Sequence, residues 1–185
     1  TISNMIIDTS DEASNISTGF VGKFGGGWIK NLNLVGAKIT AKKFTVGSFV
    51  GWQDNNIGAW QDQNQGGYQN LTSDAKIVVT SGDNGSQYDD IGGIIGIINN
   101  CDTRNPGAII NNCVFTGTIS APYGDNVGGI LGLSQHSGYS VKISDCVVIS
   151  EKIEWGKNNL YITKNNADWN VGLGGIAGNL YSNDA

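Results

Sequence analysis

Apolar residues along this chain come in short bursts with a period near two. From Asn33 to Thr40 the pattern runs Leu34, then Gly36 and Ala37, then Ile39. Val114 to Ile119 and Val141 to Ile149 are rich in β-branched residues, which fit a pleated, half-buried surface and predict strands. No stretch of a dozen residues places apolar side chains at helical spacing. Asn, Asp, Gly and Ser cluster between the bursts and predict turns there. The pattern therefore predicts many short strands and no helix.

The most hydrophobic segments contain the most glycine. Residues 125 to 138 read DNVGGILGLSQHSG, residues 91 to 98 read IGGIIGII, and residues 172 to 180 read GLGGIAGNL. VGSFVGW around Ser48 and a degenerate STGFVGKF from Ser17 to Phe24 complete the set. Aligned on the closing glycine, the copies end at Gly22, Gly51, Gly96, Gly132 and Gly178, at intervals of roughly 29 to 46 residues, the range of solenoids and arrays. A second signal alternates with the first. IKNLNLVGAKI, YQNLTSDAKI, INNCVFTGTI and ISDCVVISEKI align Asn31-Leu32, Asn70-Leu71, Asn112-Cys113 and Asp145-Cys146.

Two signals recurring in order at one period predict an all-β, right-handed parallel β-solenoid of about four to five coils. The chain is read as a single repeat array over 1–185, with approximate repeats 17–45, 46–90, 91–126, 127–171 and an incomplete 172–185. In such a coil each residue lies over its counterpart at about the 4.7–4.9 Å strand spacing. Val46, Ile91 and Val127 would form one file. Phe49, Ile94, Ile130 and Ile176 would form a second, and Leu32, Leu71, Cys113 and Cys146 a third. The structural glycines would be Gly47, Gly51, Gly92, Gly93, Gly96, Gly128, Gly129, Gly132, Gly174, Gly175 and Gly178. Their expected tasks are to turn the chain with positive φ and to let a facing sheet approach closely.

Composition changes this picture at a few points. The formal net charge is −5, which argues against a nucleic-acid coat, since that needs a basic face. Only 15% of residues are charged, so Asn, Ser, Thr and Gln must cover the surface, as is common outside cells. Residues 1 to 20 hold no basic start followed by an apolar run, and no apolar run is long enough to cross a bilayer. The chain reads as a mature or excised piece of something longer, extracellular or on a cell surface. Cys101, Cys113 and Cys146 lack the spacing of zinc or thioredoxin motifs and read either as buried thiols or as a disulfide in an oxidising compartment.

Candidate chemistry is sparse. Asp89-Asp90 ahead of a strand could serve glycoside cleavage, which uses paired carboxylates, but they read better as a solvated turn. His136, the single histidine, reads as a solvated loop residue in SQHSG. No cofactor or metal is expected, since SGDNGSQYDD matches neither the EF-hand nor the calcium nonapeptide pattern. Carbohydrate contact has more support. GWQDNNIGAWQDQNQGGY sets Trp52 and Asp54, then Trp60 and Asp62, in repeated Trp-Gln-Asp triplets, and a second insert carries Trp155 and Trp169 among asparagines. Flat apolar rings edged by Asp, Asn and Gln suit a sugar, although the same rings would serve to shield the sides of a coil.

The stretch [VIL]-G-G-[IF]-[LIV]-G followed by I-x-N-C-x-x-x-G-x-I is similar to the GLUG-type repeat of bacterial surface and secreted proteins, including adhesins and the N-terminal regions of immunoglobulin A-cleaving metallopeptidases. The resemblance spans roughly Ser17 to Leu180. Only Gly92-Gly93, Gly128-Gly129 and Gly174-Gly175 keep the glycine doublet. Gly47-Ser48 relaxes it and Thr18-Gly19 breaks it. The resemblance implies an extracellular repeat region and no catalytic residue. The expected function is a non-catalytic adhesin, structural spacer or filament segment. The alternatives are a carbohydrate-binding module using the Trp-rich inserts and, less favoured, a polysaccharide-active enzyme. The expected partners are flanking repeats of the same chain or other copies stacked end to end, and glycans, with no nucleic acid and no membrane insertion.

Overall fold

The structure, a computed structural model, describes residues 1–12, 16–54, 66–81, 89–100, 108–136, 141–156 and 172–182. Within them it is all-β, without helix. The strands fall into five successive passes. The first holds β1 (Ile2–Ser3), β2 (Ile6–Thr9) and β3 (Val21–Phe24). The second holds β4 (Trp28–Val35), β5 (Lys38–Ala41), β6 (Val46–Gly47) and β7 (Val50–Asp54). The third holds β8 (Gly67–Ser73), β9 (Lys76–Val79), β10 (Asp90–Gly92) and β11 (Ile95–Asn100). The fourth holds β12 (Ile109–Asn111), β13 (Val114–Phe115), β14 (Thr118–Ala121), β15 (Asn126–Gly128) and β16 (Leu131–His136). The fifth holds β17 (Lys142–Ser144), β18 (Val147–Val148), β19 (Ile153–Trp155), β20 (Gly172–Gly174) and β21 (Ala177–Ser182).

Every pairing is parallel, and the chain visits four sheets in the same order on each pass. Sheet I is β1-β4-β8-β12-β17, with β13 and β18 alongside. Sheet II is β2-β5-β9-β14-β19, sheet III is β6-β10-β15-β20, and sheet IV is β3-β7-β11-β16-β21. The first pass enters sheet III through one bridge, Thr18 to Val46.

The register follows the residue types. In sheet II, Ile7, Ile39, Ile77, Ile119 and Ile153 lie side by side on successive strands. Ile39, Ile77 and Ile119 are fully buried, each worth about 1.5–3 kcal/mol. In sheet III, Val46, Ile91, Val127 and Leu173 lie in one file, so the residue opposite Val127 is Leu173, one beyond the repeat boundary placed at 172. In sheet IV the strand pairs flanking them put Gly22, Gly51, Gly96, Gly132 and Gly178 in one file. Between the last two sheets the amide of Phe49 donates to the Ile94 carbonyl, Ile94 to Ile130, and Ile130 to Ile176.

Three segments expected to run straight instead bend. Val35 and Lys38 are separated by Gly36 at φ 66°, Ser144 and Val147 by Asp145 at φ 54°, and Phe115 and Thr118 by Thr116-Gly117. Each bend falls where the chain leaves one strand for the next.

The glycines of the repeated motif do not turn the chain. None of them has positive φ; among the described glycines only Gly26, Gly27, Gly36 and Gly156 do. The left-handed positions of the repeat belong instead to Asn31, Asn70, Asn112 and Asp145, at φ 51–57°. Asn and Asp tolerate this region better than other residues with a Cβ. The asparagines also bond to one another along the outside: Asn70 Nδ2 donates to Asn31 Oδ1 at 2.7 Å, and Asn112 Nδ2 to Asn70 Oδ1 at 2.8 Å. What the motif glycines provide is close approach. A Cβ on Gly96 would stand 2.6 Å from the Gly51 carbonyl, and one on Gly178 would stand 2.7 Å from that of Gly132.

Candidate functional site

Three clusters hold the chemistry-bearing side chains. The first surrounds Trp52 on β7. In register its neighbours are Lys23 and Ile97. The indole stacks on Phe44 with ring centroids 5.5 Å apart and planes at 22°, and Lys23 Nζ lies 5.3 Å from its centroid. The half-buried ring therefore already has partners, and its buried Nε1 has no hydrogen-bond partner. Asp54 lies two residues on, toward the same side of the strand, half-buried beside Asn99 in register. Between them Gln53 points inward, where its Oε1 accepts the Tyr68 hydroxyl at 2.6 Å.

Trp155 lies elsewhere, at the end of β19 in sheet II. Its Nε1 donates to the Asp125 carbonyl at 2.9 Å and ties that strand to the start of β15. Of the six residues proposed for carbohydrate, Trp52 and Asp54 thus share a strand and Trp155 sits on another sheet. Trp60, Asp62 and Trp169 lie outside the described residues, as do Asp83, Asn84 and Cys101.

The second cluster was misjudged from sequence. Asp89 and Asp90 are not a solvated turn; they are 2% and 0% exposed. Asp89 Oδ1 accepts the Phe44 amide at 2.6 Å, and the Asp89 amide donates to Asp125 Oδ2 at 3.2 Å. Phe44 has φ 81°, rare for a bulky residue, and the Asp89 bond together with the Trp52 stack holds it there. Asp90 lies in register between Thr45 and Asn126, and Asn126 Nδ2 donates to its Oδ1 at 2.8 Å. Burial pushes the Asp90 carboxyl well above the usual carboxylate range. The Asn126 hydrogen bond opposes this, and the nearby negative charges of Asp125 and Asp89 reinforce it. Asp90 Oδ2, Thr45 Oγ1 and Asn126 Oδ1 are buried without hydrogen-bond partners. The pair considered for glycoside cleavage is therefore inside the fold, where it fastens loop to strand. The sequence carried a signal for this, since Thr45, Asp90 and Asn126 each precede the apolar residue that opens the repeat.

The third cluster is Cys113 and Cys146, both free thiols, which fall opposite one another in sheet I. Cys146 is pulled down to about 7, chiefly by a hydrogen bond from the Cys113 thiol, against burial and the Asp145 charge. Cys113 is pushed up by the same interaction and by burial. His136 belongs to the end of β16, not to a loop. Among the described residues no group of three or more His, Cys, Asp or Glu is placed to hold a metal ion, and no helix is long and apolar enough to cross a membrane.

No family model matches the chain, and comparison with characterised proteins and with solved structures finds no match.

Proposed function

We propose that this chain is a right-handed parallel β-solenoid whose function is mechanical: a non-catalytic extracellular repeat module serving as a stiff spacer or adhesive segment. The observation that carries the reading is the single file formed by Gly22, Gly51, Gly96, Gly132 and Gly178, one from each pass. Identical residues recurring at one point of every circuit support a reading in which each pass lies over the last. The right hand follows from the strong preference of parallel crossover connections. Five windings at one strand spacing each rise about 20–25 Å. Extracellular placement rests on the low charge, the asparagine-rich surface and the likeness to the GLUG-type repeat.

The spacer reading is favoured over a sugar site because the two described tryptophans of the proposed set are committed to packing and to a backbone carbonyl. The carbohydrate reading keeps one observation in its favour: the Trp52 indole N–H has no partner, and Asp54 stands on the same side of its strand. A glycan array separates them. The spacer reading expects the wild-type chain to give no signal. Binding that Trp52→Ala abolishes, with the fold intact by circular dichroism, would replace it with the lectin reading.

A further inference from the structure

Gly93, Gly129 and Gly175 hold one position in successive passes, and the first two are glycine for the same reason. A Cβ on Gly93 would collide with the Gly129 carbonyl and stand 2.5 Å from Phe115 Cγ. One on Gly129 would collide with the Gly175 carbonyl and stand 2.6 Å from Val148 Cγ1. In both cases the obstructing atoms belong to the next pass. A Cβ on Gly175 would meet nothing within 4 Å, and its backbone is not left-handed. Gly175 therefore bears glycine's entropic penalty without any cause among the described residues.

The neighbouring files end in the same way. Val46, Ile91 and Val127 are fully buried, and the next member, Leu173, is 51% exposed. Phe49, Ile94 and Ile130 are fully buried, and Ile176 is 36% exposed. Ile149 and Leu180 are more exposed still. The face beyond β17 to β21 thus has the composition of an internal interface, and none of the described residues covers it.

The opposite face is complementary to it. β1, β2 and β3 form its edge, and their residues open the files that close at the far end. Ile7 begins the file ending in Ile153, Val21 the one ending in Ala177, and Ile2 the one passing through Leu34, Ser73 and Phe115 to Val148. Phe20 and Ile6 are exposed there. Because every pairing is parallel, a copy translated along the stack meets this one in the register the protein already uses. It would set Ile2 beside Val148, Ile7 beside Ile153 and Phe24 beside Leu180, with the Phe20 carbonyl over Gly175. Among the described residues one like-charge pair opposes contact, Asp8 against Glu154, and Lys152 at 3.2 Å from Glu154 already offsets it.

We propose that the face around Gly175 docks the β1–β3 face of a second copy, so that the chain assembles head to tail. Such a contact is heterologous and does not close, so it propagates as a polar fibre. The proposal rests on the solenoid reading and extends it from a module to an assembling one.

Sedimentation of the 185-residue chain over a range of concentrations tests it, with Gly175→Arg, Ile176→Lys and Phe20→Arg alongside. The wild type should give masses that rise with concentration without a plateau. Gly175→Arg and Ile176→Lys should each weaken association at least tenfold, and Gly175→Arg should do so without lowering the melting temperature of the monomer, because a side chain at that position meets nothing within 4 Å. Mixed Gly175→Arg and Phe20→Arg chains should form a heterodimer and stop, since each retains one competent face. A wild type that stays monomeric, a closed dimer of fixed mass, or full assembly by both face variants would overturn the proposal. A monomer that keeps the Ile94–Ile130 hydrogen bond would overturn this proposal alone and leave the solenoid reading standing.

Discussion

Gly129→Ala and Gly175→Ala make the same chemical change at equivalent positions of adjacent passes, and the structure predicts opposite outcomes. At Gly129 the new methyl group would meet the Gly175 carbonyl and two Val148 methyls at 2.6 and 2.7 Å. Relief requires β20 to move away or Val148 to rotate. Moving β20 strains the bond from the Gly129 amide to the Gly175 carbonyl, now 3.2 Å, worth about 1 kcal/mol. Overpacking of this kind costs a further 1–3 kcal/mol or so. The sum, about 2–4 kcal/mol, lowers the melting temperature by roughly 4–16 °C for a chain of this size. At Gly175 the methyl meets nothing, and restricting the unfolded chain should stabilise the monomer by about 0.4–1 kcal/mol. Urea denaturation, at concentrations where the chain is monomeric, compares the two directly. Equal destabilisation by both substitutions, or none by Gly129→Ala, would refute the claim that successive passes lie on one another.

Three further outcomes follow from named groups. Asp90 holds in the folded state a proton that the unfolded chain gives up above about pH 4, so folding is most favourable below that pH and weakens as pH rises toward the elevated folded value. Asp90→Asn should abolish that slope and raise stability at neutral pH, as read by denaturation at several pH values; an unchanged slope would show that Asp90 is ionised. Cys146 should be alkylated by iodoacetamide with a midpoint near pH 7, Cys113 should resist, and Cys113→Ala, which removes the donor, should move the Cys146 midpoint upward. Asn70→Ala replaces a residue that tolerates left-handed backbone by one that does not and removes two ladder bonds, so it should cost about 1–3 kcal/mol, whereas Asn70→Gly should cost less; equal losses would mean that the backbone conformation contributes nothing.

The strand content and the parallel arrangement were legible because period-two patterning and a spaced glycine motif are properties of the residues themselves. The same alignment places Leu32 over Leu71 and Cys113 over Cys146, since apolar residues that fill one narrow core must recur at one interval. The roles of polar residues were not legible, because their partners lie a whole pass away in sequence. Asp89 looked like a surface turn until Phe44 and Asp125 came to meet it. The glycine and asparagine roles were exchanged for a related reason. Glycine can turn a chain or admit a neighbour, and only the register shows that the neighbour is the cause. Asn31, Asn70 and Asn112 were aligned from sequence, yet alignment alone does not reveal left-handed backbone. Of the tryptophan inserts, Trp52 shows why an aromatic beside an acid is a weak signal: the ring serves Phe44 and Lys23 first.

The central claim is that equivalent residues of successive passes are joined amide to carbonyl in a single file. Scalar couplings transmitted across hydrogen bonds, measured by NMR on isotope-labelled protein, test it without substitution. Passes joined in this way should give a coupling from the Ile94 nitrogen to the Ile130 carbonyl carbon and another from the Ile130 nitrogen to that of Ile176. Couplings from either nitrogen to a residue outside this file, or rapid solvent exchange of both amides, would contradict it.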